Sequence, residues 1–476
     1  MRLGRLLCIV GLISGCTVGP HYARPDVSTP IPPAYKEAAD TPQGNSQWKP
    51  ADPSDQIPRG KWWQVFQDTR LNDLEEQIAV SNQNLKIAEA QFTQARAAIR
   101  INRADYYPQG SAGLGITQNH GSKNIPTGDY NYTAYSVPFD VSYEPDVWGR
   151  VKHNVEGSTA TAQATAADLE TVNLSVHAEL ALDYFQLRGL DAEKQLLDST
   201  VATYEKALEL TQNRFKGGIV SESDVAQAQT QLETVRAQAV DVKENRALLE
   251  HAIALLIGKS ASSFSIPQDP LKNPPPGISA GMPSELLERR PDIAGAERRM
   301  AAANAQIGVA RTAFFPSFLF AIATGFEGGS PVNWLSASST LWSVGPSAAL
   351  TLFDGGRRHA ISDQAEAVYQ QTIASYQQTV LVAFEEVENS LASLRILQEE
   401  AEKQDAAVAA AEHSLLVSNN RYKGGVTTYL EVTTAQGIAL VDERVAVELL
   451  SRRMVSSVEL IKALGGGWKL SDLPTN

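Results

Sequence analysis

The hydrophobic positions of this chain change period twice, in the same order, in each half of the sequence. From Leu71 to about Tyr106 there is no proline or glycine and one helix is predicted, ended by Pro108 because a helix rarely passes through the residue before proline. The period then falls to two. Tyr135, Val137, Phe139, Val141 and Tyr143 alternate with Ser136, Pro138, Asp140, Ser142 and Glu144, and a weaker alternation from Gly110 to Thr117 puts Ala112, Leu114 and Ile116 on one side. From about Val151 to Phe215 the chain is helical again, interrupted only by Gly157 and Gly189. At 1.5 Å per residue such a rod is on the order of 100 Å long. After Gly217-Gly218 comes a second helix in which Val225, Ala228, Leu232, Val235, Ala239 and Val242 alternate steps of three and four. Leu249, Ile253 and Leu256 continue the stripe past an interruption at Arg246. That is a coiled-coil seam.

The chain then repeats itself. Asn213-Arg214-Phe215-Lys216-Gly217-Gly218-Ile219 recurs as Asn420-Arg421-Tyr422-Lys423-Gly424-Gly425-Val426, a shift of 207 residues, and the register holds: Asp224 falls on Glu431, Arg246 on Arg453, Ile257-Gly258 on Leu464-Gly465. A unit of roughly 200 residues is too long for a solenoid repeat and indicates a duplicated half-molecule. The second half accordingly predicts a helix from about Ser284 to Pro316 and alternating strands at Phe318, Phe320, Ile322, Thr324, Phe326 and from Trp342 to Leu352. A long helix from about Arg357 to Asn420 and another from about Thr428 to Leu464 complete it. Pro270 to Pro283 reads as a connector between the halves.

Each alternating segment is about 9–11 residues long with one apolar face, the pattern of transmembrane β-strands, and Tyr135, Tyr143, Trp334 and Trp342 sit where an interfacial girdle would place them. A soluble half-buried sheet is the alternative that the pattern leaves open. About four membrane strands cannot close a barrel within one chain, because open edges in lipid leave backbone groups unsatisfied. Closure demands several copies, with the helices projecting into one aqueous compartment. The predicted fold is mainly α with a membrane β part: long coiled-coil helices plus four β-strands per chain.

The N-terminus bears on location. Arg2 and Arg5 precede a short apolar run, Leu6 to Ile13, too short to span a bilayer as a mature helix, so residues 1–15 read as a signal peptide. Ile13-Ser14-Gly15-Cys16 resembles the bacterial lipobox, which implies cleavage before Cys16 and acylation of its thiol; Thr17 in place of Asp implies, by resemblance to lipoprotein sorting, the outer membrane. Several acyl chains on one residue hold where a single chain only lingers. No cofactor is expected beyond this covalent lipid. With Cys8 removed and Cys16 acylated, the mature chain has no disulfide to form. Residues 16–60, rich in Pro, Ser, Asp and Ala, form a lipidated extended leader; 61–273 form the first repeat, 274–468 the second, and 469–476 a tail. The net charge of −13, or −15 without Arg2 and Arg5, argues against a nucleic-acid partner, which needs a clustered basic face.

Several runs together identify a family. Cys16-Thr17-Val18-Gly19-Pro20-His21-Tyr22, Leu286-Leu287-Glu288-Arg289-Arg290-Pro291-Asp292-Ile293, Ala302-Ala303-Asn304-Ala305-Gln306-Ile307-Gly308-Val309-Ala310-Arg311 and Lys462-Ala463-Leu464-Gly465-Gly466-Gly467-Trp468 resemble the outer-membrane efflux lipoproteins of the TolC-like family, NodT subfamily. The resemblance covers essentially the whole mature chain. It implies a homotrimer with a shared twelve-stranded transmembrane β-barrel and a periplasmic α-barrel. Such a duct exports small toxic compounds or drugs, together with a periplasmic adaptor protein and an inner-membrane transporter, commonly of the proton-driven resistance-nodulation-division class.

The site residues follow from the turns. Gly217-Gly218 and Gly424-Gly425 sit where each long helix must reverse, with glycine supplying the left-handed cap and the basic residues favouring the C-terminal dipole end. The resemblance implies that these tips, Arg214, Phe215, Lys216 and Gly218 with Arg421, Tyr422, Lys423 and Gly425, are where adaptor hairpins dock. Just beyond the second tip, Leu430, Glu431 and Thr434 lie at a spacing that can face a pore axis, where a trimer makes each side chain a ring of three. The family often carries an acidic residue in place of Thr434, so Leu430 is the stronger candidate for the constriction.

Other classes fare worse. The seven histidines show no metal-ligand spacing, and Gly258-Lys259-Ser260 closes a helix where a phosphate loop would open one. No catalytic residue is expected. A duct for type I protein secretion would share the fold and differ in its inner-membrane partner, and a surface-anchored coiled-coil scaffold is the other non-enzymatic alternative.

Overall fold

The computed structural model describes residues 18–23, 34–37, 61–122, 124, 131–278 and 286–467. The first half contains α1 (Thr69–Ser81), α2 (Gln83–Ala104), β1 (Gln109–Ala112), β2 (Gly115–His120), β3 (Asn131–Tyr143), α3 (Arg150–Lys216) and α4 (Glu222–Leu256). The second contains α5 (Leu286–Arg289), α6 (Pro291–Thr312), β4 (Ser317–Gly328), β5 (Thr340–Ala349), α7 (Arg357–Lys423) and α8 (Tyr429–Ala463). The duplication reappears in space with its offset intact. Both α3 and α7 have 67 residues and both α4 and α8 have 35, so each long rod extends about 100 Å. Seam residues Ala228, Leu232, Val235, Ala239 and Val242 are buried, as the periodicity of α4 predicts.

Two helices depart from their sequence-based bounds. The helix expected from Leu71 to Tyr106 is broken at Asn82, whose backbone turns to ψ 126°. No glycine or proline is needed, because the Asn82 side chain makes its own helix start: its Oδ1 accepts from Leu85 N at 3.0 Å, while its Nδ2 donates to Leu256 O at 2.7 Å. In the second half the helix expected from about Ser284 begins at Pro291, after the separate turn α5, since Arg290 must be extended before proline (φ −93°, ψ 119°). The Arg290 guanidinium donates to Ala463 O at 3.1 Å, the carbonyl 207 positions beyond Leu256. A glycine completes each lock. A Cβ on Gly258 (φ +65°) would lie 2.5 Å from Ser81 O, and one on Gly465 (φ +88°) 2.3 Å from Arg289 O.

The strands form one antiparallel sheet in the order β1/β2, β3, β4, β5. The segment expected at Gly110–Thr117 appears as two pieces that pair with β3 in one continuous register, so the sheet is four strands wide. The interruption faces Pro138, which has no N–H to donate. Gly325 stands opposite the same proline, where a Cβ would fall 2.3 Å from Val137 O. The last strand stops at Ala349, short of the expected Leu352, because its partner strand begins at Ser317 directly after Pro316.

Beneath the sheet, α3 packs against α2 and α6, and α6 packs against α7; toward the tips, α3 packs against α4 and α8, and α8 against α7. Midway along the rods each half is clasped by an extended segment. In the first half the chain after α4 buries Ile266 against Leu180, Ile253 and Ile257. Arg246, which interrupts the seam, binds the Asp191 carboxylate at 2.7 Å and Ile266 O at 2.6 Å, and Asp191 also accepts from Asp269 N at 3.0 Å. In the second half the leader occupies the corresponding place. Tyr35 is buried in a cluster with Val387, Leu460 and Leu464, the positions 207 beyond Leu180, Ile253 and Ile257. Glu388 accepts from Lys36 N at 2.7 Å and Glu37 N at 3.1 Å, and Arg395 pairs with Glu37. The leader, expected as an extended lipidated segment, here contributes a core side chain.

Candidate functional site

The two tips are built on one backbone plan. At the first, Gly217 N donates to Asn213 O (3.1 Å), Gly218 N to Phe215 O (2.9 Å) and Ile219 N to Arg214 O (2.9 Å), with Gly218 at φ +68°. At the second, Gly424 N, Gly425 N and Val426 N make the equivalent bonds to Asn420, Tyr422 and Arg421 carbonyls at 3.0, 3.0 and 2.9 Å, with Gly425 at φ +74°. Both satisfy helix-end carbonyls through a left-handed glycine, as the sequence predicts. Lys216, Lys423 and Arg421 are exposed, within reach of a partner in solvent.

The side chains differ. Phe215 is 43% exposed, whereas its counterpart Tyr422 is 4% exposed and packs with Tyr429, Val432 and Ala228. The Arg214 guanidinium lies 4.6 Å from the Tyr422 ring centroid and donates to Tyr422 O at 3.0 Å, so the first tip grips the second. The Tyr422 and Tyr429 rings meet edge-on at 5.1 Å, and burial, followed by Tyr422, pushes the Tyr429 phenol up to about 12. The caps of the return helices differ as well. Ser221 and Asp224 form a reciprocal capping box on α4, while Thr428 gives α8 no side-chain cap.

Leu430, Glu431 and Thr434 are all exposed on the first turns of α8. Thr434 Oγ1 donates to Leu430 O at 2.9 Å, which turns its hydroxyl back onto the helix. Leu430 is 58% exposed and continues into Ile438 (54%) and Val441 (58%), an apolar stripe with steps of eight and three bridged by Thr434. Sequence reasoning stopped at Thr434 and missed Ile438 and Val441; their signal was apolar periodicity on the side of α8 away from its seam. At the positions 207 earlier, α4 carries Ser223, Gln227, Gln231 and Thr234. One face is apolar in the second hairpin and polar in the first.

At the opposite end of the rods, the sheet has two distinct faces. The register aligns Leu114 and Ile116 with Val137, Phe139 and Val141, then with Phe320, Ile322 and Phe326, then with Trp342 and Val344. The other face carries mostly small and polar residues, Ser136, Asp140, Ser142, Ala321, Ala323, Ser343 and Ser347, together with Leu319 and Leu341. Phe139, Phe320, Ile322, Trp342 and Val344 are exposed, and the outer edges of β1/β2 and β5 have no strand partner among the described residues. Tyr135 and Trp334 meet at 6.2 Å. No helix among the described residues is long and apolar enough to cross a membrane. No cluster of metal-ligating side chains occurs among them.

Cys16 lies outside the described residues. The leader enters the structure beside the sheet, where Val18 N donates to Trp148 O at 3.2 Å and Trp148 Nε1 donates to Pro316 O at 2.7 Å.

Comparison with known proteins agrees with this arrangement. The profile of the outer membrane efflux protein family matches residues 74–259 and again 282–466. The cation efflux system protein CusC of Escherichia coli is 28% identical over 465 residues, covering 97% of this chain and 98% of that protein. The toluene efflux pump outer membrane protein TtgF of Pseudomonas putida is 30% identical over 463 residues, covering 96% and 95%. The solved outer-membrane channel OprN superposes with a TM-score of 0.85 at 30% identity, covering 95% of this chain and 100% of that one.

Proposed function

We propose that this chain, which belongs to the outer membrane efflux protein family, is the exit duct of an efflux pump and works as a trimer whose sheets close one twelve-stranded barrel. The observation that carries this reading is the four-stranded sheet with one mainly apolar face and two edges without a strand partner among the described residues, joined at one end to rods of about 100 Å. Edges left open in lipid cost several kcal/mol per backbone group, so each copy must pair with its neighbours. The helices then continue the barrel as a hollow periplasmic tube.

In this reading Cys16 carries acyl chains that anchor the leader in the outer membrane. The exposed basic residues of the tips meet a periplasmic adaptor, which connects the duct to a proton-driven inner-membrane transporter of the resistance-nodulation-division class. Leu430, Glu431 and Thr434 line the periplasmic mouth, with Leu430 forming the narrowest ring. The cargo is small toxic compounds; relatives named for cations and for toluene support the class without choosing within it. They weigh against the protein-secretion duct and the scaffold. The relatives are channel components, and no step of the transport requires chemistry from this chain.

Mass measurement in mild detergent tests the assembly: three chains per particle are expected, and a monodisperse monomer would sink the proposal. Labelled palmitate should enter the wild type and not Cys16→Ala; equal labelling of both would remove the anchor from it. Deleting the gene should increase accumulation of small toxic compounds in the cell.

A further inference from the structure

Where the helices leave the sheet, residues 19–22 of the leader, the end of α2, the start of α3 and the middle of α6 enclose a cavity of about 400 Å³. Three cationic side chains line it, Arg103, Lys152 and Arg298, against one carboxylate, Glu156. Arg103 is exposed and makes no ion pair among the described residues. Lys152 reaches Glu156 only at 3.8 Å, and Glu156 is already bound to His153 Nδ1 at 2.8 Å. Arg298 is held by the Glu297 carboxylate through Nε and Nη2, donates from Nη1 to Gln163 Oε1 at 3.4 Å, and lies 5.9 Å from the Tyr22 ring centroid. The lining therefore keeps an excess of positive charge, carried by Arg103 and Lys152.

The leader wall is built rather than draped. His153 Nε2 contacts Val18 O at 3.1 Å, Asn304 Nδ2 donates to Pro20 O at 3.3 Å, and the Tyr22 hydroxyl binds the Glu297 carboxylate. Gly19 presses so closely on α6 that a Cβ there would lie 2.9 Å from Gly308 Cα. The depth of the cavity is set by the sheet. Just outside the strand ends on this side stand Tyr107 (71% exposed), Leu352 (88%) and Phe353 (89%), a girdle of the kind found at the boundary between hydrocarbon and headgroups. The wall at Val18 is two residues from Cys16, the proposed point of acylation.

We propose that this cavity binds the phosphate group of an anionic headgroup, with Arg103 and Lys152 as its donors and Arg298 as a flanking cation, and that the source is a phospholipid of the periplasmic leaflet. Guanidinium and ammonium groups give a phosphate its strongest hydrogen bonds. A lipid held there would fix the leader at the membrane boundary by a contact separate from the acyl anchor. The choice of source rests on the sheet lying in the outer membrane; the choice of phosphate does not.

The test is native mass spectrometry on the purified full-length protein with dioleoylphosphatidylglycerol, with dioleoylglycerol, which has the same tails and no phosphate, and with inorganic phosphate. Wild type should retain phosphatidylglycerol and not dioleoylglycerol. Arg103→Ala with Lys152→Ala should weaken retention about tenfold or more, since each removes a charged hydrogen bond from surface positions that the fold does not need. Arg103→Lys should keep most of it. Binding of inorganic phosphate, lost in the double variant, with no preference for the lipid would keep the phosphate site and assign it to a free anion. Equal retention of phosphatidylglycerol by wild type and the double variant, or of dioleoylglycerol and phosphatidylglycerol by wild type, would overturn the proposal. Particle mass, read in the same spectra, reports separately on the barrel.

Discussion

The two hairpins share the hydrogen bonds of their turns and little of what surrounds them. In the first, Phe215 faces solvent and the return helix shows Ser223, Gln227, Gln231 and Thr234; in the second, Tyr422 is buried and the same face shows Leu430, Thr434, Ile438 and Val441. Backbone geometry survived duplication because the left-handed glycines and the spacing of the seam admit few substitutes. Side chains off the seam were free to diverge, and one hairpin has an apolar face where the other has a solvated one. The clasps midway along the rods diverged similarly, one half using the segment that follows it and the other the leader.

The clasps give the largest expected effects. Tyr35→Ala should cost about 3–5 kcal/mol and Ile266→Ala about 2–5 kcal/mol, as for other buried large-to-small changes, measured by denaturant unfolding in detergent. If Tyr35→Ala is neutral, the leader is an accessory and the halves are less alike than their cores indicate. At the tips, Tyr422→Ala should destabilise by about 2–4 kcal/mol, because it empties a packed site and removes the ring under Arg214, while Phe215→Ala should change stability by about 0.5 kcal/mol or less. Equal losses would erase the distinction between gripping and gripped tips. Leu430→Ser should raise single-channel conductance with assembly unchanged, whereas Ser223→Leu should leave conductance as it was. The reverse outcome would move the constriction to the first hairpin.

The smallest effect is a pH dependence confined to one half. Burial, then the neighbouring Glu179 carboxylate, push Asp183 up to about 6, while the position 207 beyond it is Ser390, which does not titrate. A carboxyl whose pKa rises on folding binds more protons folded than unfolded, so its stabilising contribution is present below about pH 4 and is lost as the pH rises through about 6. Asp183→Asn should flatten that part of the stability profile between pH 4 and 7. An unchanged slope would place the titration elsewhere.

Much of this architecture was legible in the residues. The two-residue alternation around Val137 and Ile322 survives folding because one face of the sheet is predominantly apolar, with Thr324 and Thr340 among its polar positions. The interruption of the seam at Arg246 was visible too, though its partners were not: Asp191 lies a full helix away and the Ile266 carbonyl belongs to a segment without periodicity. The break at Asn82 escaped because asparagine within a helical run carries no signal until its amide finds Leu256 O across the fold. Tyr35 escaped for the same reason. A single aromatic in a Pro- and Ser-rich stretch has no pattern to declare its burial. The tips were read correctly as turns, but the grip of Arg214 on Tyr422 joins residues 208 apart and follows from no local rule.

The equivalence of the two turn backbones also bears on stoichiometry. In a trimer the periplasmic rim presents six turns of one shape, alternating between two chemical kinds. A partner that reads only backbone and basic charge would count six sites and could ring the mouth completely. One that reads the exposed phenyl ring of Phe215 would count three, leaving every second position vacant. For the adaptor proposed above, the number of molecules bound per duct is the measurement that tells which of the two inheritances, common shape or divergent side chains, it reads.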